Sequence, residues 1–391
     1  MGKKYTTIEV NNRRTRKEFL LLPVRLYKKD QWYIRPLDRD VERVFDPERN
    51  KFFRMGECTR WILVDERGKT VGRVAAFIDR KTSGKNEQPT GGIGFFDCIN
   101  DQEAASALFD QCRAWLAAKG MEAMDGPVNF GERHEWWGLL VEGFSEPNYC
   151  IPYNYPYYKD LFEKYGFQLY FRQFTFHRTV AGGLSDAVTK KAERVLQDPD
   201  YAFGPMDQSK MQRIIEDFTN VYNKSWSKHS GVSPISSSQA RALFKKLKPI
   251  LDPNLLWFAY YKNEAVAFFL MIPELNQIFR HMNGKLHLLN KLRFLYYRKR
   301  KICTKMLGML FGVVPEHQGK GVESAIVVAF SRLAYQKDFN YTEIEMNWIG
   351  DFNPKMIHVA EQIGGKVIKI HHTYRYLFDR SKPFQRAKMI D

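Results

Sequence analysis

A chain of 391 residues is long for one ordinary core and suggests two domains of roughly 150–200 residues each. With 44% hydrophobic and 15% aromatic residues it can bury well-packed interiors, which excludes a disordered chain. The 61 Lys and Arg against 44 Asp and Glu leave a net charge of +17, which favours polyanionic partners: nucleic acid, anionic lipid headgroups or a phosphate-rich cofactor.

The chain opens on a polar, basic segment containing Lys3, Lys4, Arg13, Arg14, Arg16 and Lys17 rather than on a signal peptide. Its first six residues also fit the loose myristoylation pattern, a match so short that it arises often by chance. Residues 61–78 alternate apolar and polar positions about a turn at 66–69, which predicts a hairpin. A strand over 92–99 runs into Asn100-Asp-Gln-Glu-Ala104, a helix start that is acidic and lacks glycine, so it repels phosphate. The loop 126–138, rich in polar and aromatic groups, either lines an acceptor cleft or packs as a surface loop. Asn154 then reads as the cap of a helix that Gly166 closes, followed by strand formers over 167–176.

The joint between halves lies in 179–200, where Ala181-Gly-Gly183 breaks the strand and a polar helix follows. The second half repeats the first. Residues 256–270 form a hairpin turning near Lys262 to Glu264, and an apolar strand covers 307–314. Pro315-Glu-His-Gln-Gly-Lys-Gly321 follows, then helical periodicity over 322–333. In 342–349, Glu343, Glu345 and Asn347 share one strand face and Ile344, Met346 and Trp348 the other. Asn353 opens a helix that Gly364 closes, and strand formers run over 366–376, with each half ending in a final pair of strands. The economical reading is a tandem duplication of one α/β (α+β) unit, split into 1–180 and 181–391.

Between hairpin and strand in the second half lies a basic insertion, 279–301, mixing Lys and Arg with Leu, Phe and Tyr at near-helical spacing. Such a helix suits an anionic membrane surface, or covers the sheet with a solvated basic edge. No apolar run approaches the roughly 18 residues that span a bilayer. The five scattered cysteines (Cys58, Cys98, Cys112, Cys150, Cys303) form no Cys-x-x-Cys pair, so neither a disulfide framework nor a metal site is expected, and Cys98 reads as a buried thiol. A cytoplasmic protein, peripheral to an anionic membrane where the insertion binds lipid, fits these features.

The turn 315–321 carries the chemistry. Glycines between a strand and a helix N-terminus present several backbone N–H groups to one spot, where the helix dipole adds positive charge and suits a pyrophosphate. This segment resembles the Gln/Arg-x-x-Gly-x-Gly/Ala motif of the GNAT acyltransferase superfamily, which holds the pyrophosphate of coenzyme A. Gln318 and Gly321 match; Glu323 stands where Gly or Ala is usual.

The resemblance implies two tandem GNAT-like domains, each a mixed, mostly antiparallel sheet flanked by helices, the first degenerate and lacking the CoA turn. It further implies acyl-CoA or acetyl-CoA as donor and an amine as acceptor, without a metal. Contacts to the donor fall on Val313, Val314, Gln318, Gly319, Lys320, Gly321, Val322 and Asn353. A backbone N–H near Gly312 to Val314 would hold the oxyanion. Glu345 is the expected base, with Asn347 beside it. In many relatives a Tyr on the Asn-led helix is the acid; here that position is Ala360, so either Tyr374, His371 or His358 substitutes or a thiol of such low pKa needs no protein acid. The tandem layout and the insertion also resemble a bacterial GNAT subgroup that includes the ceramide synthases, which implies a long-chain, sphingoid-like amine. A small-amine or peptide N-acetyltransferase is the nearest alternative. A non-catalytic nucleic-acid-binding protein of the same fold is a second, but no nucleic-acid motif appears and none is expected to bind.

Overall fold

The computed structural model describes residues 4–85, 88–226 and 234–389, so residues 1–3, with the start of the myristoylation pattern and Lys3, lie outside it. In the first half, strands β1 (Tyr5–Glu9), β2 (Gly56–Asp65), β3 (Thr70–Asp79), β4 (Thr90–Cys98), β5 (Ala123–Gly126) and β6 (Leu139–Glu142) precede the long β7 (Gln168–Thr179). Helices α1 (Arg13–Leu26), α2 (Asp38–Val44), α3 (Gln102–Ala117) and α4 (Tyr158–Tyr165) lie among them. The second half runs α5 (Asp186–Leu196), β8 (Tyr201–Pro205), α6 (Met211–Trp226), α7 (Ser237–Leu247), β9 (Leu256–Tyr261), β10 (Glu264–Pro273), α8 (Asn276–Phe279) and α9 (Leu288–Lys299). It closes with β11 (Lys305–Val313), α10 (Val322–Ala334), β12 (Glu343–Gly350), α11 (Pro354–Gln362) and β13 (Lys366–Leu377).

Both expected hairpins form. In the second, Lys262 and Asn263 both take positive φ (48° and 67°), the mirror-image turn that matches strand twist. Gly166 (φ 109°) and Gly364 (φ 86°) follow α4 and α11 as left-handed stops. One cap is different from expectation. Asn154 does not open α4; it is buried, and its amide spans the Leu140 N–H (2.8 Å) and C=O (2.9 Å). Asn353 does cap its helix, accepting from the Met356 N–H.

All strands join one mixed sheet in the order β1-β2-β3-β4-β5-β13-β7-β12-β11-β10-β9-β8, with β6 also on β13. Only β4–β5 and β11–β12 are parallel pairs among the described residues. Each half therefore ends in one long strand rather than a pair. The two long strands are exchanged: β13 inserts between β5 and β7, and β7 inserts between β13 and β12. Their antiparallel register runs from Lys366 opposite His177 to Arg375 opposite Gln168. The exchange removes the open edge that either last strand would otherwise present. It also carries Tyr374 and Tyr376 of β13 into the core of the first half, beside Phe109, Phe162 and Phe167.

Candidate active site

Strand β11 is built from Met, Leu, Phe and Val with glycines at 308 and 312. Its register against β10 slips between Leu270↔Leu310 and Met271↔Gly308, so Met309 is an extra, bulged residue. Against β12 it pairs only from Lys305↔Glu343 to Gly308↔Met346, after which the two strands part. Residues 308–311 and 346–348 along the parting are half-buried, as the walls of a cleft are. At the fork, a Cβ on Gly308 would lie 3.1 Å from Met346 Cγ, so a glycine lets the strands meet closely there.

Backbone polarity along β11 follows from one bond. The Val314 N–H donates to Val266 O (2.9 Å), so by antiparallel alternation the N–H groups of Gly312 and Val314 face β10. Those of Phe311 and Val313 face the cleft. This narrows the sequence expectation of an oxyanion donor near Gly312 to Val314: two of those three N–H groups are already spent on the sheet.

At the open end, Gln318 Nε2 donates to Val313 O (2.9 Å) and braces the turn. Tyr201 of β8 steadies it from the other side through His317 Nδ1 (2.6 Å). Gly319 (φ 71°) faces open space, and Lys320 is exposed. Gly321 (φ 94°) is the N-cap of α10, where no side chain caps the helix, while Val322 is fully buried beneath. A Cβ at Gly321 would also come within 2.9 Å of Lys191 O on α5, so conformation and space both require glycine. The uncapped N-terminus leaves its amides available to an anion. Asn353 stands at the end of the other arm, its N–H on Gly350 O.

The first half lacks this device, and its cleft is filled. Asp101 caps α3 by accepting from Ala104 N–H, Glu103 lies in the first turn, and Lys4 and Tyr5 close over Asp101. Beyond the parallel pairing of β4 and β5, Val128 N–H bonds Ile93 O (2.8 Å), and a Cβ at Gly94 would collide with Val128 O at 2.0 Å. Val128, Phe130 and Trp136 are core residues, so this part of loop 126–138 packs rather than opening a cleft.

At the closed end of the β11–β12 cleft lies a buried polar cluster. Glu345, 1% exposed, pairs with Lys305 and with Lys369 Nζ (3.3 Å). Asn148 Nδ2 donates to Glu345 Oε2 (2.7 Å) and to Glu274 Oε2 (2.9 Å), so one amide bridges two carboxyls. Glu274, just past β10, also accepts from the Tyr149 N–H (3.0 Å) and Asn276 N–H (2.8 Å). The two carboxyls are pushed apart in acidity. Burial alone raises Glu345, but Lys369 and Lys305 outweigh it and hold its carboxyl below the ordinary value. Burial raises Glu274 to about 7 against the Asn276 and Asn148 hydrogen bonds, helped by the charge on Glu345.

Of the expected site residues, Glu345 and Asn347 belong here. Asn347 Oδ1 is buried without a partner at the fork, and the register beyond Met346 slips against β7, so the strict alternation stops there. Tyr374 does not belong here. It is five residues along β13 from Lys369, roughly 16 Å away, and its hydroxyl donates to Glu163 in the first half. His371 is buried and pushed down to about 3 by burial and Lys369, and His358 is exposed and bonded to Gln362. Sequence reasoning missed Glu274, Asn148 and Lys369. Glu274 had one signal, as the last acid before a long acid-free stretch ending at Glu316; the other two had none.

The fold is that of a tandem GNAT-superfamily protein. A tandem GNAT protein from the clavulanic acid biosynthesis pathway superposes with a TM-score of 0.55 at 10% identity, covering 97% of this chain and all of that one. A GCN5-related N-acetyltransferase from Sphaerobacter thermophilus gives 0.51 at 9%, each covered in full. By sequence, the chain is similar to the bacterial ceramide synthase of Caulobacter vibrioides, 27% identical over 92% of this chain and 94% of the relative. It is also similar to protein YghO of Escherichia coli, 24% identical over 93% of each. No family model matches the chain.

Proposed function

We propose that the protein is an acyl-CoA-dependent N-acyltransferase whose acceptor is a lipid-like, sphingoid amine. The arrangement that carries this reading is an uncapped, glycine-flanked helix N-terminus at Gly321 at one end of the parting between β11 and β12, with the buried Glu345–Glu274 cluster at the other. The 3′-phospho-ADP end of acyl-CoA would sit on the backbone of Gln318 to Val322 with Lys320 beside it, and its pantetheine arm on the free edge of β11 near Val313. The thioester would then lie at the fork. There the amine attacks the carbonyl, the C–N bond forms, the C–S bond breaks and CoA thiolate leaves. A thiol of such acidity needs no dedicated protein acid.

Glu345 held as a permanent carboxylate is a poor proton acceptor, whereas a carboxyl near 7 suits general-base work at neutral pH. In this reading Glu274 takes the ammonium proton, while Glu345 keeps Lys305 and Lys369 in place. The relative named as a bacterial ceramide synthase supports a long-chain base as acceptor. The residue split 1–180 and 181–391 then separates a unit without a CoA turn from the one that holds the donor.

Incubating the protein with short- and long-chain acyl-CoAs and a panel of amines, then weighing the products, tests the reading. An amide of a long-chain base is expected. Amides of small amines or peptides alone would instead favour an N-acetyltransferase, and no thiol release with any pair would sink the enzyme reading.

The Glu274 assignment has a pH signature. kcat/KM is expected to climb through about 7, and Glu274→Gln to lose on the order of a hundredfold with that limb abolished. Stability moves the opposite way. A carboxyl at about 7 in the fold against 4.5 unfolded binds its proton more tightly when folded, so its contribution is complete below 4.5 and lost by about 7. That loss is about 3 kcal/mol at about 1.4 kcal/mol per pH unit. Melting of wild type and Glu274→Gln across pH 4.5–8 should differ by this slope; an unchanged activity profile in the variant would remove Glu274 from the proton path.

A further inference from the structure

Helix α9 is amphipathic with the wrong face outward. Toward the protein it presents Asn290, whose amide donates to Met282 O (3.1 Å) and Lys285 O (2.8 Å), Phe294 stacked on Phe279, and Tyr297 against His281. On the opposite face Leu288, Leu289, Leu292, Leu295 and Tyr296 are 72, 65, 56, 57 and 59% exposed. Positions 288, 289, 292, 295 and 296 follow the helical repeat, so they form one continuous stripe rather than scattered apolar residues. It accounts for nearly half of the large hydrophobic residues exposed anywhere on the described chain.

The charge around the stripe identifies its occupant. Lys291, Arg293, Lys299, Arg300 and Lys301 are exposed beside it, and none makes an ion pair with a described residue. No acid occurs between Glu274 and Glu316. A second copy of this chain would bring the same positive charge against itself, whereas an anionic lipid surface offers both phosphate and acyl chains. The geometry points to α9 as a peripheral membrane anchor, its leucines in the acyl-chain boundary of an anionic bilayer and its basic residues among the headgroups.

Its position has a consequence for the reaction. The segment carrying α9 leaves the sheet at Glu274 and returns at Lys305, whose backbone is joined by the Glu274 N–H to Lys305 O bond (2.9 Å). Both residues belong to the polar cluster at the closed end of the cleft, opposite the donor turn. A membrane-borne amine would therefore reach the fork from the α9 side while water-soluble acyl-CoA arrives from the Gly321 side. This last step rests on the acyltransferase reading; the anchoring does not.

Sedimentation of the full-length protein with phosphatidylcholine vesicles, with and without phosphatidylglycerol, tests the anchor. Binding is expected only to the anionic vesicles, to weaken with salt, and to fall by at least about tenfold in Leu289→Asp/Leu292→Asp. Both positions are exposed, so the variant should melt like wild type and still release thiol with a long-chain base presented in detergent rather than in a bilayer. Equal binding by wild type and variant, no binding to either vesicle, or a leucine-dependent dimer by light scattering would each overturn the anchor. Vesicle binding that persists without acylation of any amine would overturn the functional reading and leave the anchor standing.

Discussion

A Gly319→Glu variant is expected to keep a native melting profile and to bind acyl-CoA on the order of a hundredfold more weakly. The backbone at 319 has φ 71°, and a Cβ there would meet nothing within 4 Å, so the fold can accept a side chain at the modest cost of a left-handed residue. The carboxylate would stand before the uncapped N-terminus of α10, where the donor's phosphates are proposed to sit. At roughly 5 Å and an effective dielectric of about 20, each like-charge contact costs about 3 kcal/mol, which matches a hundredfold or more. Gly319→Ala imposes the same backbone strain without charge and should lose only a few-fold. Calorimetric titration with CoA and its acyl thioesters separates the two. Equal affinity for wild type and the Glu variant would remove the turn from the donor site. Gly321 is a worse place for this test, because any Cβ there presses on Lys191 O and confuses binding with folding.

The second large effect is on stability. Glu345→Gln should destabilise the protein by about 3–5 kcal/mol, because it removes the carboxylate that pairs directly with two inward-facing ammonium groups. Side-chain exposure is 3% for Lys369 and 19% for Lys305, so water cannot replace the lost partner at Lys369. For domains of this size that corresponds to a drop on the order of 10 °C in Tm. Removing one charge together with its partner, in Glu345→Gln/Lys369→Met, should recover much of the loss, since the penalty lies in the orphaned cation rather than in the missing pair. Melting curves of the single and double variants decide it. A single variant as stable as wild type would show that the cluster is not an electrostatic lock, and would return Glu345 to consideration as a base. The cluster draws Asn148 from the first half and Glu274, Lys305, Glu345 and Lys369 from the second, so the same change also tests how firmly the halves are joined.

Much of this was visible in the sequence where the signal was local. The hairpins at 56–79 and 256–273 follow from alternation and turn residues within a few positions, and the strand, glycine turn and helix over 305–334 are likewise a contiguous pattern. The same reasoning failed where two identical local patterns met different neighbours. Asn154 and Asn353 look alike before their helices; one caps, and the other is taken by the free backbone of Leu140, fourteen residues earlier in the chain. Tyr374 looked available to the second half's site until β13 proved to be threaded into the first half's core. Helical spacing in 288–299 was legible, but not which of its two apolar faces the protein covers.

What the sequence by itself determined is therefore the strand, glycine turn and helix proposed to hold the donor, since glycine conformations and an uncapped helix start are properties of adjacent residues. Only the tertiary structure decided the chemistry at the other end of the cleft. The acidity of Glu274 and the fixed charge of Glu345 arise from burial, two lysines and one bridging amide brought from positions far apart in the chain. Desolvation and charge pairing act through space, so no spacing along the chain announces them.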